Sequence, residues 1–203
     1  MQNNNVSNKF KKYLKSTEII NWTHPDILTK AKELSSGTEQ LIEIAKRSFE
    51  WVRDEILHTS DHNISTVTCR ASDVLKYRTG FCYGKSHLLA ALLRANSIPA
   101  GLCYQRLCIK ANKTYCLHGL NAVYLDKFGW YRVDSRGNKE GVNAQFIPPL
   151  EQIAFPIQKE GEADFHEIWF EPLPIIVELL QKYSKSEDVL NNLPDLEIAS
   201  IRT

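Results

Sequence analysis

Leu88-Leu89-Ala90-Ala91-Leu92-Leu93 is apolar on every side of a helix, and it follows a Thr79-Gly80-Phe81-Cys82 turn and ends at Asn96-Ser97-Ile98-Pro99. A helix without a polar face must be buried all round, so this segment has to run through the centre of the fold. Proline cannot continue it, which fixes its end before Pro99. The other elements of the chain must therefore supply apolar surface around this one.

The same segment places a thiol at the helix start. Unpaired N–H groups of a first turn and the helix dipole favour an anion there, and the thiolate is the nucleophilic form of cysteine. Cys82 is thus a candidate nucleophile. His118 and Asp134 lie downstream on two predicted strands, and the three residue types together suit nucleophile, proton carrier and orienting carboxylate. His87 is nearer in sequence, but five helical residues turn about 500°, leaving it roughly 140° around from Cys82. It reads as a packing residue.

Glu39 to Leu57 carries Leu41, Ala45, Phe49, Val52 and Ile56 at helical spacing, with Thr38 as the expected N-cap. The segment His58-Thr59-Ser60-Asp61-His62-Asn63 that follows is polar, and either lines a cleft or simply ends the helix. Beyond Pro99 the pattern turns to strands, near Ala100 to Ile109, Tyr115 to Leu125 and Trp130 to Asp134. After Gly141 prolines punctuate the chain, with helices expected at Ile175 to Tyr183 and Glu187 to Asn192.

Strand alternation constrains the last hairpin. His118 and Asp134 share a face only if paired residue numbers have an even sum, which requires an odd loop or a bulge. The expected loop is Asp126-Lys127-Phe128, with Leu125 opposite Gly129 and Leu120 opposite Asp134, and the glycine suited to positive φ.

The formal net charge of +1 gives no electrostatic case for nucleic acid or an anionic membrane. Lys9, Lys11, Lys12 and Lys15 form the one basic run, read as a solvated terminal segment. No window approaches about 18 consecutive apolar residues, and Met1 to Asn5 does not lead into an apolar stretch, so neither a membrane span nor a signal peptide is expected. Five cysteines without paired spacing are expected to stay reduced, and the expected location is cytoplasmic. Cys103, Cys108, Cys116 and His118 are zinc-compatible types, but they lie along strands rather than in tight turns. No metal or cofactor is expected, and nothing in the sequence sets the oligomeric state.

Trp51-Val52-Arg53-Asp54-Glu55-Ile56, Ala71-Ser72-Asp73-Val74-Leu75, Gly80-Phe81-Cys82, Leu92 to Ala100, His118 and Gly129-Trp130-Tyr131-Arg132-Val133-Asp134, in this order, resemble the transglutaminase-like superfamily. The resemblance implies a papain-like α+β core with the cysteine on a central helix packed on an antiparallel sheet. It also implies that Cys82 is nucleophile, His118 base and acid, and Asp134 the residue orienting the imidazole. One domain is expected over 1–203, comprising an N-terminal helical extension (1–37), the core (38–140) and a C-terminal covering segment (141–203). Two departures bear on the substrate: His118-Gly119-Leu120 lacks the aromatic residue often found two positions after the histidine, and Asp134 is followed by Ser135-Arg136 rather than Pro-Thr.

The implied activity is cysteine-dependent acyl transfer on a peptide or protein amide, with hydrolysis favoured. The alternatives are a protein transglutaminase with an amine acceptor and a catalytically silent binding module. His58, Asp61, Tyr83 and Arg136 are the candidate substrate-binding residues.

Overall fold

The computed structural model describes residues 10–110 and 114–197; Met1 to Asn5, Lys9 and the middle of the turn expected at Lys110 to Thr114 lie outside them. After a 3-10 turn at Lys11–Leu14, the elements in chain order are α1 (Pro25–Ser35), α2 (Leu41–Glu55), β1 (Leu57–His58), α3 (Ala71–Tyr77), β2 (Thr79–Gly80), α4 (Cys82–Ala95), β3 (Ala100–Lys110), β4 (Thr114–Leu125) and β5 (Gly129–Val133). There follow β6 (Gln145–Ile147), β7 (Leu150–Gln152), β8 (Ala163–Asp164), α5 (Pro174–Lys182) and α6 (Ser186–Asn191). The architecture is α+β. Its main sheet is antiparallel and four-stranded, in the order β5-β4-β3-β8.

Helix α4 is the centre, with Tyr83 through Arg94 all buried. Its apolar side chains join one core with residues of α1, α2, α3 and the sheet, which is what an all-round apolar helix requires. Polar side chains fix its position. Asn121 on β4 donates to the carbonyls of Ser86 and Gly101, at 2.9 and 3.2 Å. At its start the Lys85 ammonium donates to the carbonyls of Arg53 and Ile56, where a cation suits the helix dipole at the end of α2. At its end the buried Arg94 guanidinium donates to the carbonyls of Lys15, Ala100 and Phe170.

The β4–β5 hairpin has the expected register, from Leu125 opposite Gly129 to Asn121 opposite Val133. Gly129 takes φ +76°, so the three-residue loop closes with glycine where positive φ is needed. The ladder stops one residue short of the expected Leu120–Asp134 pair, at Asn121 opposite Val133, where β5 ends. Helix α2 begins at Leu41 rather than Glu39. Thr38 accepts from the N–H of Gln40 with its hydroxyl at 3.1 Å, forming a local turn ahead of the helix instead of its N-cap.

Gly119 marks the closest approach of helix and sheet. A Cβ there would meet Cδ1 of Tyr83 at 2.9 Å and its Cα at 3.4 Å. Replacing Gly119 with alanine must push α4 and β4 apart, and a cost of about 1–3 kcal/mol is expected in urea unfolding. A variant as stable as the parent would show that this contact is loose.

Candidate active site

Cys82 is the first residue of α4, and Phe81 at the N-cap makes no side-chain capping bond. The helix starts here because β2 pairs in parallel with β1, His58 opposite Gly80, and the chain then turns under Phe81. Of the five free thiols, those of Cys69, Cys103 and Cys116 are buried, whereas Cys82 is partly exposed. It lines an open cleft of about 560 Å³ together with His118.

His118 on β4 and Asp134 just past β5 meet across the hairpin. Nε2 of His118 lies 2.8 Å from Oδ2 of Asp134, which is wholly buried. The carboxylate also accepts from the N–H of Arg136 on Oδ1 and from the N–H of Ala154 on Oδ2, each at 3.1 Å. The Cys82 sulfur is the other side-chain group that favours the charged imidazole. Nε2 is committed to Asp134, and Nδ1 is the remaining ring nitrogen. Phe155 packs edge-on against the ring at a centroid distance of 5.0 Å.

Burial opposes charge on His118, but the Asp134 carboxylate and the Cys82 sulfur outweigh it and raise the imidazole to about 10. For Asp134, burial likewise opposes charge, and His118 with the two backbone N–H groups holds the carboxyl below its ordinary value. Both groups are therefore charged at neutral pH. His87 behaves differently. It is buried against the carbonyl of Cys69 at 2.8 Å, and burial pushes it down to about 4, so it is a neutral packing residue.

Of the four candidate binding residues, His58 and Arg136 line the cleft with Cys82. Tyr83 contributes to the cleft wall, but its hydroxyl is buried and donates to the carbonyl of Leu117. Asp61 stands behind, where Arg136 and Lys139 both reach its carboxylate, at 2.7 and 2.9 Å. Burial and the Arg136 charge push His58 down to about 3, so two cations share one carboxylate beside a neutral imidazole. Among the described residues no group of three or more His, Cys, Asp or Glu stands close enough to hold a metal ion.

Four residues of the site carried no readable signal. Ala154 acts through its backbone, Phe155 sits in a proline-rich stretch without periodicity, and Leu190 and Leu193 reach the cleft from the C-terminal segment. The first two depend on a return of the chain that no local pattern encodes.

The transglutaminase-like superfamily model matches residues 29–135, more than half of the chain and all of Cys82, His118 and Asp134. The chain belongs to this superfamily. A search among curated proteins finds no match. Among solved structures, this superfamily member is similar to a "Putative Cysteine Protease" from Cytophaga hutchinsonii, with 18% identity over 67% of this chain and 45% of that one and a TM-score of 0.55. It is also similar to the periplasmic domain of TgpA from Pseudomonas aeruginosa, with 19% identity over 63% and 46% and a TM-score of 0.49. The chain thus spans less than half the length of either, and the first likeness is one of fold: the papain-like α+β core of transglutaminase-like proteins. Among the described residues no helix is long and apolar enough to cross a membrane.

Two outcomes are expected. Iodoacetamide should modify Cys82 first, while burial holds the thiols of Cys69, Cys103 and Cys116 up at about 12 and keeps them unreactive until unfolding. The half-buried Cys108 should lag. Time-resolved peptide mass mapping reads the order, and earlier labelling of any other cysteine contradicts it.

The second concerns stability against pH. A histidine raised from 6.5 to about 10 contributes stability that is complete below 6.5 and lost as pH rises through 10. An aspartate held below 3.8 contributes above that value and loses its share as pH falls. The stability gap between the parent and His118→Ala should therefore be widest between about pH 4 and 6.5 and shrink toward pH 10 in urea titrations. A gap that widens with rising pH would refute the ion pair.

Proposed function

We propose that this protein is a cysteine-dependent acyl-transfer enzyme that hydrolyses amide or peptide bonds. The observation that carries the reading is the imidazole of His118, hydrogen-bonded to a buried Asp134, lining one open cleft with the partly exposed Cys82 at the start of α4. A merely structural histidine would not need a charged partner on one side and a partly exposed sulfur on the other. The cysteine protease description of the Cytophaga hutchinsonii structure, though said of that protein, agrees with it.

In the proposed reaction the Cys82 thiolate attacks the carbonyl carbon, and the carbon–oxygen π pair moves to oxygen. The backbone N–H of Cys82, at an uncapped helix start, is placed to stabilise that oxyanion. The His118 imidazolium gives its proton to the leaving nitrogen as the carbon–nitrogen bond breaks, which leaves a thioester and neutral imidazole. The imidazole then takes a proton from water as the water attacks the thioester, and collapse expels the thiolate and releases a carboxylic acid. Asp134 keeps the ring oriented and stabilises its charged form throughout.

Water is favoured over an amine for an electrostatic reason. Arg136 and Lys139 share the single carboxylate of Asp61 next to a neutral His58, which leaves one positive charge in excess beside the cleft. That charge repels an incoming ammonium by about 1 kcal/mol or less, enough to tilt the choice. Leu120, where relatives often carry an aromatic residue, is fully buried with Cys103 and Ala122 and cannot wall a channel for a lysine stem.

Peptide amides incubated with a labelled primary amine test the reading. Release of acid should outrun amine incorporation. Cys82→Ala should abolish both, and Asp134→Asn should lower kcat/KM by about 10²- to 10⁴-fold. Amine incorporation that exceeds hydrolysis would convert the assignment to a transglutaminase, and turnover that survives Cys82→Ala would remove the nucleophile.

A further inference from the structure

The cleft holding Cys82 has an apolar side that the reaction itself does not use. Leu107 and Ile109 from β3 form one part of it, and Leu190 from α6 and Leu193 just beyond form another. Ile109 and Leu190 are 45% and 43% exposed, unusual for aliphatic side chains lining one concave surface. Resting the C-terminal segment here takes specific polar work. The N–H of Leu117, one residue before His118, donates to the carbonyl of Pro194 at 2.8 Å. Asp195 accepts two bonds of 2.6 Å from Arg106, whose guanidinium also lies over the ring of Tyr115 at 3.8 Å.

The charged residues around this wall have partners. Arg136 is held by Asp61, and the Glu162 carboxylate accepts the backbone N–H groups of Cys108, Gln158 and Lys159. Lys159 stands near enough to Glu162 to help hold its carboxyl below the ordinary value. Arg136, Lys159 and Glu162 line other parts of the same cleft, so the aliphatic wall is one side of it. A cavity of about 560 Å³ is of the size that takes a peptide side chain with its flanking backbone.

We infer that this wall is a specificity pocket for a large aliphatic or aromatic residue of the acyl donor, built by β3 and fastened shut by the C-terminal segment. The inference rests on the proposed function in one respect, that Cys82 receives the acyl group. The pocket is assigned to the acyl side of the substrate, the part that stays on the Cys82 sulfur after the leaving group departs, and adducts that carry only that side test the assignment. Glutamine, glutamate, lysine and glycine gain little from an aliphatic wall, whereas leucine and phenylalanine remove apolar surface from water.

Two matched series test this on the intact chain. Peptidyl coumarin amides with Leu, Phe, Gln, Glu, Lys or Gly at the acyl residue report turnover, and peptidyl chloromethyl ketones with the same residues report the rate of Cys82 adduct formation by mass. Leu and Phe should exceed Gly and Glu by about tenfold or more in both series. Leu193→Asp should collapse that ratio to within about threefold, and Leu193→Met should retain it. Ile109→Asp, at a half-exposed site that tolerates charge, should collapse it too if Leu193→Asp fails to fold. A flat adduct series, or one led by Gln or a charged residue, overturns the pocket whatever the turnover. An apolar order in the adducts with no amide hydrolysed supports the pocket and overturns the hydrolytic reading instead.

Discussion

Asp134 carries its charge where no solvent reaches it, and the cost of that burial organises the middle of the molecule. A carboxylate taken out of water is several kcal/mol less favourable unless donors replace the lost hydration. Here three donors arrive from three directions: the His118 ring from β4, the N–H of Arg136 from the loop after β5, and the N–H of Ala154 from the returning C-terminal segment. None of these segments can shift without leaving the charge short of a partner. The geometry of the candidate site is therefore a condition of stability for the hairpin and for the chain that covers it.

The same principle repeats around α4, where the buried basic side chains of Lys85 and Arg94 fasten the helix. Lys85 spends its ammonium on the carbonyls at the end of α2, and burial pushes it down to about 7. Arg94 spends its guanidinium on carbonyls of three separate segments. Apolar packing alone would leave the helix free to slide or rotate, because Leu and Ala surfaces accept many registers. Hydrogen bonds to fixed backbone carbonyls do not, and they hold the Cys82 end at one height against His118.

What the sequence disclosed and what it withheld divide along a physical line. Properties set by a local period were legible: the centrality of Leu88 to Leu93, the strand spans, and the even-sum register that brings His118 and Asp134 to one face. Contacts set by the return of distant chain were not, which is why Ala154, Phe155 and the Arg136–Asp61–Lys139 cluster are visible only in three dimensions. Thr38 is an exception of a different kind, since it is wholly local. Its hydroxyl had two competing uses there, a cap or a turn, and the turn prevailed.

The Arg106–Asp195 clamp separates two tasks along the chain. The proposed catalytic residues lie between Cys82 and Asp134, whereas part of the proposed pocket wall lies beyond residue 186, on a segment held by the Arg106–Asp195 pair, the Leu117–Pro194 backbone bond and the buried side chain of Val189. The wall is thus anchored apart from the three residues of the proposed triad. Under the proposed reading, side chains of that wall can be exchanged without moving Cys82, His118 or Asp134, so which residue is accepted and how it is cleaved are written in separate stretches of chain.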